Sequence, residues 1–335
     1  MSADRLQNQI PRAEKGINKE QIFQLAITSG IHEALGIIDQ NFETTSITEN
    51  QLAYHRRSHT EGVISRTGLI LKAIQHANPG TSFVTDRDVA LGEFAAAWHD
   101  TVQESKPNDV TDAQGYVMKK RKRALGDNER ESADLAEGYM RSVNKQMGRV
   151  FSRKDIQIVR EAIMLTVPNF DVTLGTVTQP NFAKHKRNLI AQAVALGDLG
   201  GGGMEGFSTA QWESDSLFLE DNMDFAAFRK AYENLAMSNR RLAALRVPLT
   251  EGWYHDRMTR WLESQLRFSE GRQGQLQQEI ATMDQRAQEP VRQLFTKYNE
   301  TLDGMQGFID KRRTMDFPTW MTQLHDTLQN PPRYT

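Results

Sequence analysis

Two histidines stand four residues apart in YHRRSHT, residues 54–60, with two arginines between them. In a helix, four positions rotate a side chain by about 40° and advance it about 6 Å, so His55 and His59 would share a face. A metal pair and a basic surface patch both fit such a turn. Further along, His99-Asp100 closes the apolar run FAAAW, and Asp198 closes the apolar run IAQAVALG beside four glycines. A carboxylate at the end of a buried helix is costly unless it is paired or bound to metal. Imidazole and carboxylate together suit a divalent transition ion or magnesium, with coordination positions left for water. A His-Asp dipeptide alone carries no weight, because His255-Asp256 and His325-Asp326 repeat it in polar amphipathic surroundings where exposure or an interface is expected. Asp198, near glycines, also suits a cap or turn.

The composition narrows what such a site can be. The chain has 335 residues, 38% hydrophobic and 25% charged, with a formal net charge of -2. That balance argues against a dedicated nucleic-acid binder. There are no cysteines, which excludes disulfides and zinc–thiolate sites. Any metal is therefore held by His, Asp, Glu or water. The first residues, MSADRLQNQIPRAEKG, contain no apolar segment of the signal-peptide kind, and no apolar run approaches the roughly 20 residues of a membrane span. A cytoplasmic protein with no membrane partner is expected.

The elements that must position these residues read as helices throughout. Apolar residues recur at helical spacing over 19–41, over about 50–77, over the strongly apolar stretch after Thr85, over 127–147 and after Ser152. Thr85 with Asp88 forms one capping signal, and Ser152 with Asp155 caps the helix that stops at Pro168. One helix is predicted from Asn181 to Leu199. Residues 103–126, with KKRKR, read as a charged connection, and Gly200–Gly203 as a linker, since no strand–turn–helix surrounds them. Beyond Gly206 the pattern stays helical and more polar, with long helices expected over 218–245 and 253–268 and further helices in the Gln-rich last third. The expected organisation is a polar tail over 1–18, an all-α metal-binding bundle over 19–206, and a helical extension over 207–335 partly packed on it. That extension is also the expected surface for a homo-oligomer or protein partner.

Taken in order, these motifs resemble the HD-domain metal-dependent phosphohydrolases. The sequence His59, His99-Asp100, Asp198 is similar to their His, His-Asp, Asp pattern; YHRRSHT, AAAWHD and DNERESADLA resemble segments of a bacterial subgroup, over roughly residues 20–205. The YHxxxH element also resembles cyclic-nucleotide phosphodiesterases. The resemblance implies an HD-like helical bundle in which His59, His99, Asp100 and Asp198 ligate one divalent ion (Mn, Fe, Co, Ni, Zn or Mg). It implies that His55 is a general acid or phosphate contact and that Glu129 is a carboxylate of second rank or a base. The chain departs from the pattern in lacking a histidine at 166–170. Only His185 stands between the His-Asp pair and Asp198, and one helix over 181–198 would set it about 20 Å from Asp198. One metal is favoured, unless Asp100 bridges a second held mostly by water.

The activity so implied is hydrolysis of a phosphate ester of a nucleotide or similar small molecule by metal-activated water. His55 would protonate the leaving oxygen. Of Arg56 and Arg57, one would stand at the pocket rim on phosphate oxygens, and Lys119 and Lys120, in the basic run to Arg123, would cover the phosphate as a lid. The alternatives are a regulatory nucleotide- or signal-binding protein with little turnover, acting through its C-terminal helices; a nucleic-acid contact through KKRKR; and a purely structural helical protein.

Overall fold

The computed structural model describes residues 18–45, 51–112, 115–173, 175–179, 181–185, 188–236 and 248–334. Among them are thirteen helices and two small antiparallel hairpins, so the fold is all-α. Six helices make the first half: α1 (Lys19–Ile38), α2 (Arg57–Ala77), α3 (Asp86–Trp98), α4 (Asp127–Met147), α5 (Arg153–Leu165) and α6 (Leu189–Asp198). The capping boxes at Thr85–Asp88 and Ser152–Asp155 form as their residue types predict. Helix α3 is the central element, with Phe94, Ala95, Ala96 and Ala97 fully buried. Its alanines let α1, α2, α5 and α6 all pack against it.

The later helices are α7 (Gly201–Met204), α8 (Phe207–Asp221), α9 (Met223–Ala236), α10 (Pro248–Thr282), α11 (Gln285–Arg292), α12 (Tyr298–Thr314) and α13 (Phe317–Gln329). An aromatic cluster with Phe218, Phe225, Tyr254 and Trp320 holds α8, α9, α10 and α13 together. Leu276, Ile280, Met283, Val291 and Phe295 belong to the first core instead. Helices from the end of the chain thus close the bundle made by its first half. Among the described residues no helix is long and apolar enough to cross a membrane.

Several elements differ from their sequence expectation. The second helix starts at Arg57, because Arg56 is extended (φ -130, ψ 178), so His55 precedes the helix that carries His59. The charged connection is a hairpin: β1 (Ser105–Thr111) pairs with β2 (Val117–Arg123). It has no apolar alternation to betray it; backbone pairing and cross-strand neighbours such as Asp109 opposite Lys119 make it. A second hairpin joins β3 (Asn169–Asp171) to β4 (Thr176–Thr178). The helix predicted over 181–199 is a short 3-10 turn, Phe182–His185, followed by α6. The separation argued for His185 therefore no longer applies, and its side chain lies outside the described residues, as does the tail over 1–17. Gly201–Gly203 belong to α7 and are not a linker. A Cβ on Gly203 would stand 2.6 Å from Tyr298, and one on Gly201 2.5 Å from Glu213. Glycine lets this turn wedge between α8 and α12.

Candidate metal centre

The four expected ligands converge. His59 arrives from the first turns of α2, His99 and Asp100 from the end of α3, and Asp198 from the last residue of α6. His59 Nε2 lies 3.3 Å from Asp100 Oδ2 and 3.4 Å from Asp198 Oδ1. His99 Nε2 lies 3.0 Å from Asp100 Oδ2 and 3.6 Å from Asp198 Oδ1. Donors bonded to one ion at about 2.1 Å are spaced roughly 3.0 Å apart at octahedral angles and 3.4 Å at tetrahedral ones. The four observed separations, 3.0–3.6 Å, lie close to that range. His59, His99 and Asp100 are buried and could hold a metal ion.

The local hydrogen bonds favour that use. His99 Nδ1 donates to the Ala96 carbonyl at 2.7 Å, which leaves the Nε2 lone pair facing the carboxylates. That Nε2 is buried and makes no hydrogen bond, although Asp100 is close by. The donor set therefore fits a divalent cation. Burial works to lower the pKa of both imidazoles, but Asp100 and Asp198 outweigh it and hold His59 raised and His99 well raised. Burial likewise works to raise the two carboxyls, and the histidines hold both well below the usual range. A cation must displace the imidazole protons, so its affinity rises with pH.

Close approach of α6 to α2 brings Asp198 into the group. A Cβ on Gly197 would stand 2.7 Å from Thr67 Oγ1, 3.2 Å from Thr67 N and 3.3 Å from Val63 O. Two of these three atoms are backbone, so only glycine permits the contact. Arg66, fully buried, donates from Nε to the Gly197 carbonyl at 2.6 Å and pairs through Nη1 with Glu205 at 3.0 Å and Glu213 at 3.4 Å. It pins the end of α6 to the start of α8.

His55 stands beside the four donors, its Nε2 3.9 Å from Asp100 Oδ2. The Glu220 carboxylate of α8 sets its position. Glu220 Oε2 accepts the backbone N–H of Tyr54 and of His55, and Oε1 lies 2.6 Å from His55 Nδ1. Those bonds also keep residues 54–56 out of the helix. Arg123, at the end of β2, places Nη1 3.2 Å from His55 Nε2, and its Nη2 pairs with Glu220 at 3.1 Å and Asp221 at 3.0 Å. A guanidinium only donates, so His55 Nε2 accepts and Nδ1 carries the proton toward Glu220. Burial works to raise the Glu220 pKa, but His55 and Arg123 hold it well below the usual range.

The remaining predicted residues divide. Glu129 lines the same cavity as His55, Asp100 and Asp198, and accepts the Gly126 backbone N–H at 2.6 Å. Burial raises its pKa, with Asp100 and Asp198 adding to the effect. Arg56 and Arg57 do not line that cavity. Arg56 donates to the Leu328 carbonyl at 3.1 Å and lies over the Trp212 ring, while Arg57 pairs with Asp39 at 2.8 Å and Glu61 at 2.7 Å. Lys119 and Lys120 do not reach the site either. Lys119 stands four strand steps from Arg123, about 13 Å, and Lys119 is exposed. Lys120 faces a different recess with Asp112 and Arg257. The basic group at the site is Arg123, the last residue of the same run.

Sequence reasoning missed Glu220, Arg66 and Glu213, and reached Arg123 only as the end of the basic run. The available signal was the set of acids within α8: Glu213, Asp215 and Glu220 alternate with Trp212 and Phe218 on a face that must be buried. No family model, curated protein or solved structure matches this chain.

Proposed function

We propose that the protein is a metal-dependent phosphohydrolase of the HD type, cleaving a phosphate ester of a nucleotide or related small molecule. The supporting observation is that His59 and His99 each stand within 3.6 Å of both Asp100 and Asp198, with His55 and Arg123 beside them. One divalent ion would be held by these four residues. When bound, it supplies a Lewis acid for a phosphoryl oxygen and a water of lowered pKa.

The chain's own residues do the rest. Arg123 is placed to donate to phosphate oxygens in a forked arrangement. Moving onto a phosphate would free His55 Nε2, which it engages in the structure described. Nε2 could then take a proton and deliver it to the leaving oxygen, while Glu220 keeps Nδ1–H and the ring fixed. Glu129, its carboxyl raised by burial, is placed to accept a proton near Asp100 and Asp198. Gln103 donates to the remaining Asp100 oxygen at 2.9 Å and holds that carboxylate in orientation.

The test is metal analysis of the purified protein, then phosphate release from nucleotides and sugar phosphates with added Mn²⁺, Co²⁺, Ni²⁺ or Mg²⁺. His99→Ala and Asp100→Ala are expected to lose both metal and activity. Metal content and turnover that survive in both variants would overturn the assignment. Tight nucleotide binding with bound metal and no product would replace catalysis by a sensing role.

A further inference from the structure

His55, Asp100 and Asp198 line one chamber of about 480 Å³, with Arg123, Asn128 and Glu129 on the same side and β4, α8, α10 and α12 supplying most of the remaining wall. That volume suits a bound organic molecule, since ligand pockets run to roughly 300–1,000 Å³. The chamber extends well past the donors: Leu217, Trp261, Phe268 and Met305 line it, with Val177 from β4.

Its polar side chains are mostly committed to the protein. The Ser264 hydroxyl donates to the Trp261 carbonyl at 2.6 Å, and the Ser269 hydroxyl contacts Met305 Sδ at 3.5 Å. Ser214 accepts the Trp261 indole N–H at 3.1 Å. The Arg272 charge is met by Glu279 at 2.7 Å and 3.0 Å. Gln265 and the exposed Arg267 also line the chamber. The Tyr298 hydroxyl is engaged by Arg272 and closed off from the chamber, in a side chain only 4% exposed. A sugar or polyphosphate chain would lose its water here and find few partners, at a cost for each group left unpaired. An aromatic body would lose nothing of the kind and would meet three rings.

We infer that the substrate is a phosphate ester whose alcohol portion is predominantly apolar and aromatic, which sets nucleotides aside; this rests on the phosphohydrolase reading above and not on its nucleotide. In the reaction, a water oxygen bonds to phosphorus as the bond from phosphorus to the ester oxygen breaks. The water's protons end on the released alcohol and on phosphate.

The experiment measures equilibrium binding of Mn²⁺-loaded protein to 2-naphthylmethyl phosphonate, ribose 5-phosphate and inorganic phosphate by calorimetry, with hydrolysis of 2-naphthyl phosphate alongside. The naphthyl ligand is expected to bind at least about 10-fold more tightly than the other two, from the ring area removed from water. Leu217→Glu, which puts a charge in the chamber, and Phe268→Ala, which removes a half-buried ring, are each expected to cut that ratio to about threefold or less. Should Leu217→Glu fail to fold, Phe268→Ala carries the test. Equal binding of all three ligands by a metal-loaded protein would overturn the aromatic substrate and leave the metal centre standing. No retained Mn²⁺ and no binding of any phosphate ligand would overturn the centre, and the inference with it.

Discussion

Replacing Gly197 with alanine tests how the fold assembles the candidate centre. The added Cβ would meet Thr67 Oγ1 at 2.7 Å, and the hydroxyl can rotate away. Thr67 N at 3.2 Å and Val63 O at 3.3 Å cannot, because both belong to the α2 backbone. Helices α6 and α2 must part by a few tenths of an ångström. Overpacking of this kind costs about 1–3 kcal/mol, against a helix-propensity gain of about 0.5–1 kcal/mol for removing a helical glycine. Gly36 supplies the control. It too stands close to its helix's C-terminal end, is exposed, and has nothing within 4 Å of a new Cβ. Gly36→Ala is therefore expected to stabilise by about 0.5–1 kcal/mol, and the gap between the two variants isolates the steric cost. Asp198 follows Gly197 directly, so the same displacement pulls its carboxylate from His59. Co²⁺ affinity should fall about 10-fold, the size of effect seen when a ligand's support is disturbed. Urea denaturation and a Co²⁺ titration by absorbance read the two quantities. Equal stability of the two variants would refute the packing argument. Lost stability with unchanged Co²⁺ affinity would remove Asp198 from the ligand set.

Three other outcomes follow from buried charges. Asp215 of α8 has its carboxyl raised to about 6 by burial, which Arg312 offsets only in part. A folded pKa above the unfolded value stabilises fully below about pH 4 and loses that contribution as pH rises through 6, so the stability of Asp215→Asn relative to the parent should improve by roughly 2 kcal/mol between pH 4 and 7; a pH-independent difference in denaturation experiments would refute this. Arg66→Met leaves Glu213 and the Gly197 carbonyl without their partner and should cost about 3–5 kcal/mol; a loss under about 1 kcal/mol would show that the buried arginine does not tie α6 to α8. Glu220→Gln presents an amide to His55 Nδ1 and disturbs its tautomer, so kcat should fall about 100-fold or more with a displaced pH profile and little change in metal content; an unaltered profile would remove Glu220 as the positioning residue for His55.

Much of the candidate site was legible because its His and Asp residues stand at the ends of helices whose periodicity is strong. An apolar run that terminates in His99-Asp100, and another that terminates in Asp198, mark places where a buried helix must do something with a charge. The caps at Thr85 and Ser152 likewise declared themselves, since capping depends on residues three apart. Local chemistry of this kind is contained in the sequence. The company that His55 keeps is not. Glu220 lies 165 positions away and holds the backbone N–H groups of residues 54 and 55 outside the helix, overriding the helical spacing that made His55 and His59 look like one pair. Which cation of the basic run meets the site was also undecided, because strand pairing turns and extends the hairpin so that Arg123 arrives and Lys119 and Lys120 do not. The all-α class, the ligand types and the absence of thiolate chemistry follow from the order and kind of residues alone. The orientation of His55, the choice of Arg123 and the walls of the chamber are long-range contacts, and only the packing of α8, α10 and α12 against the first six helices decides them.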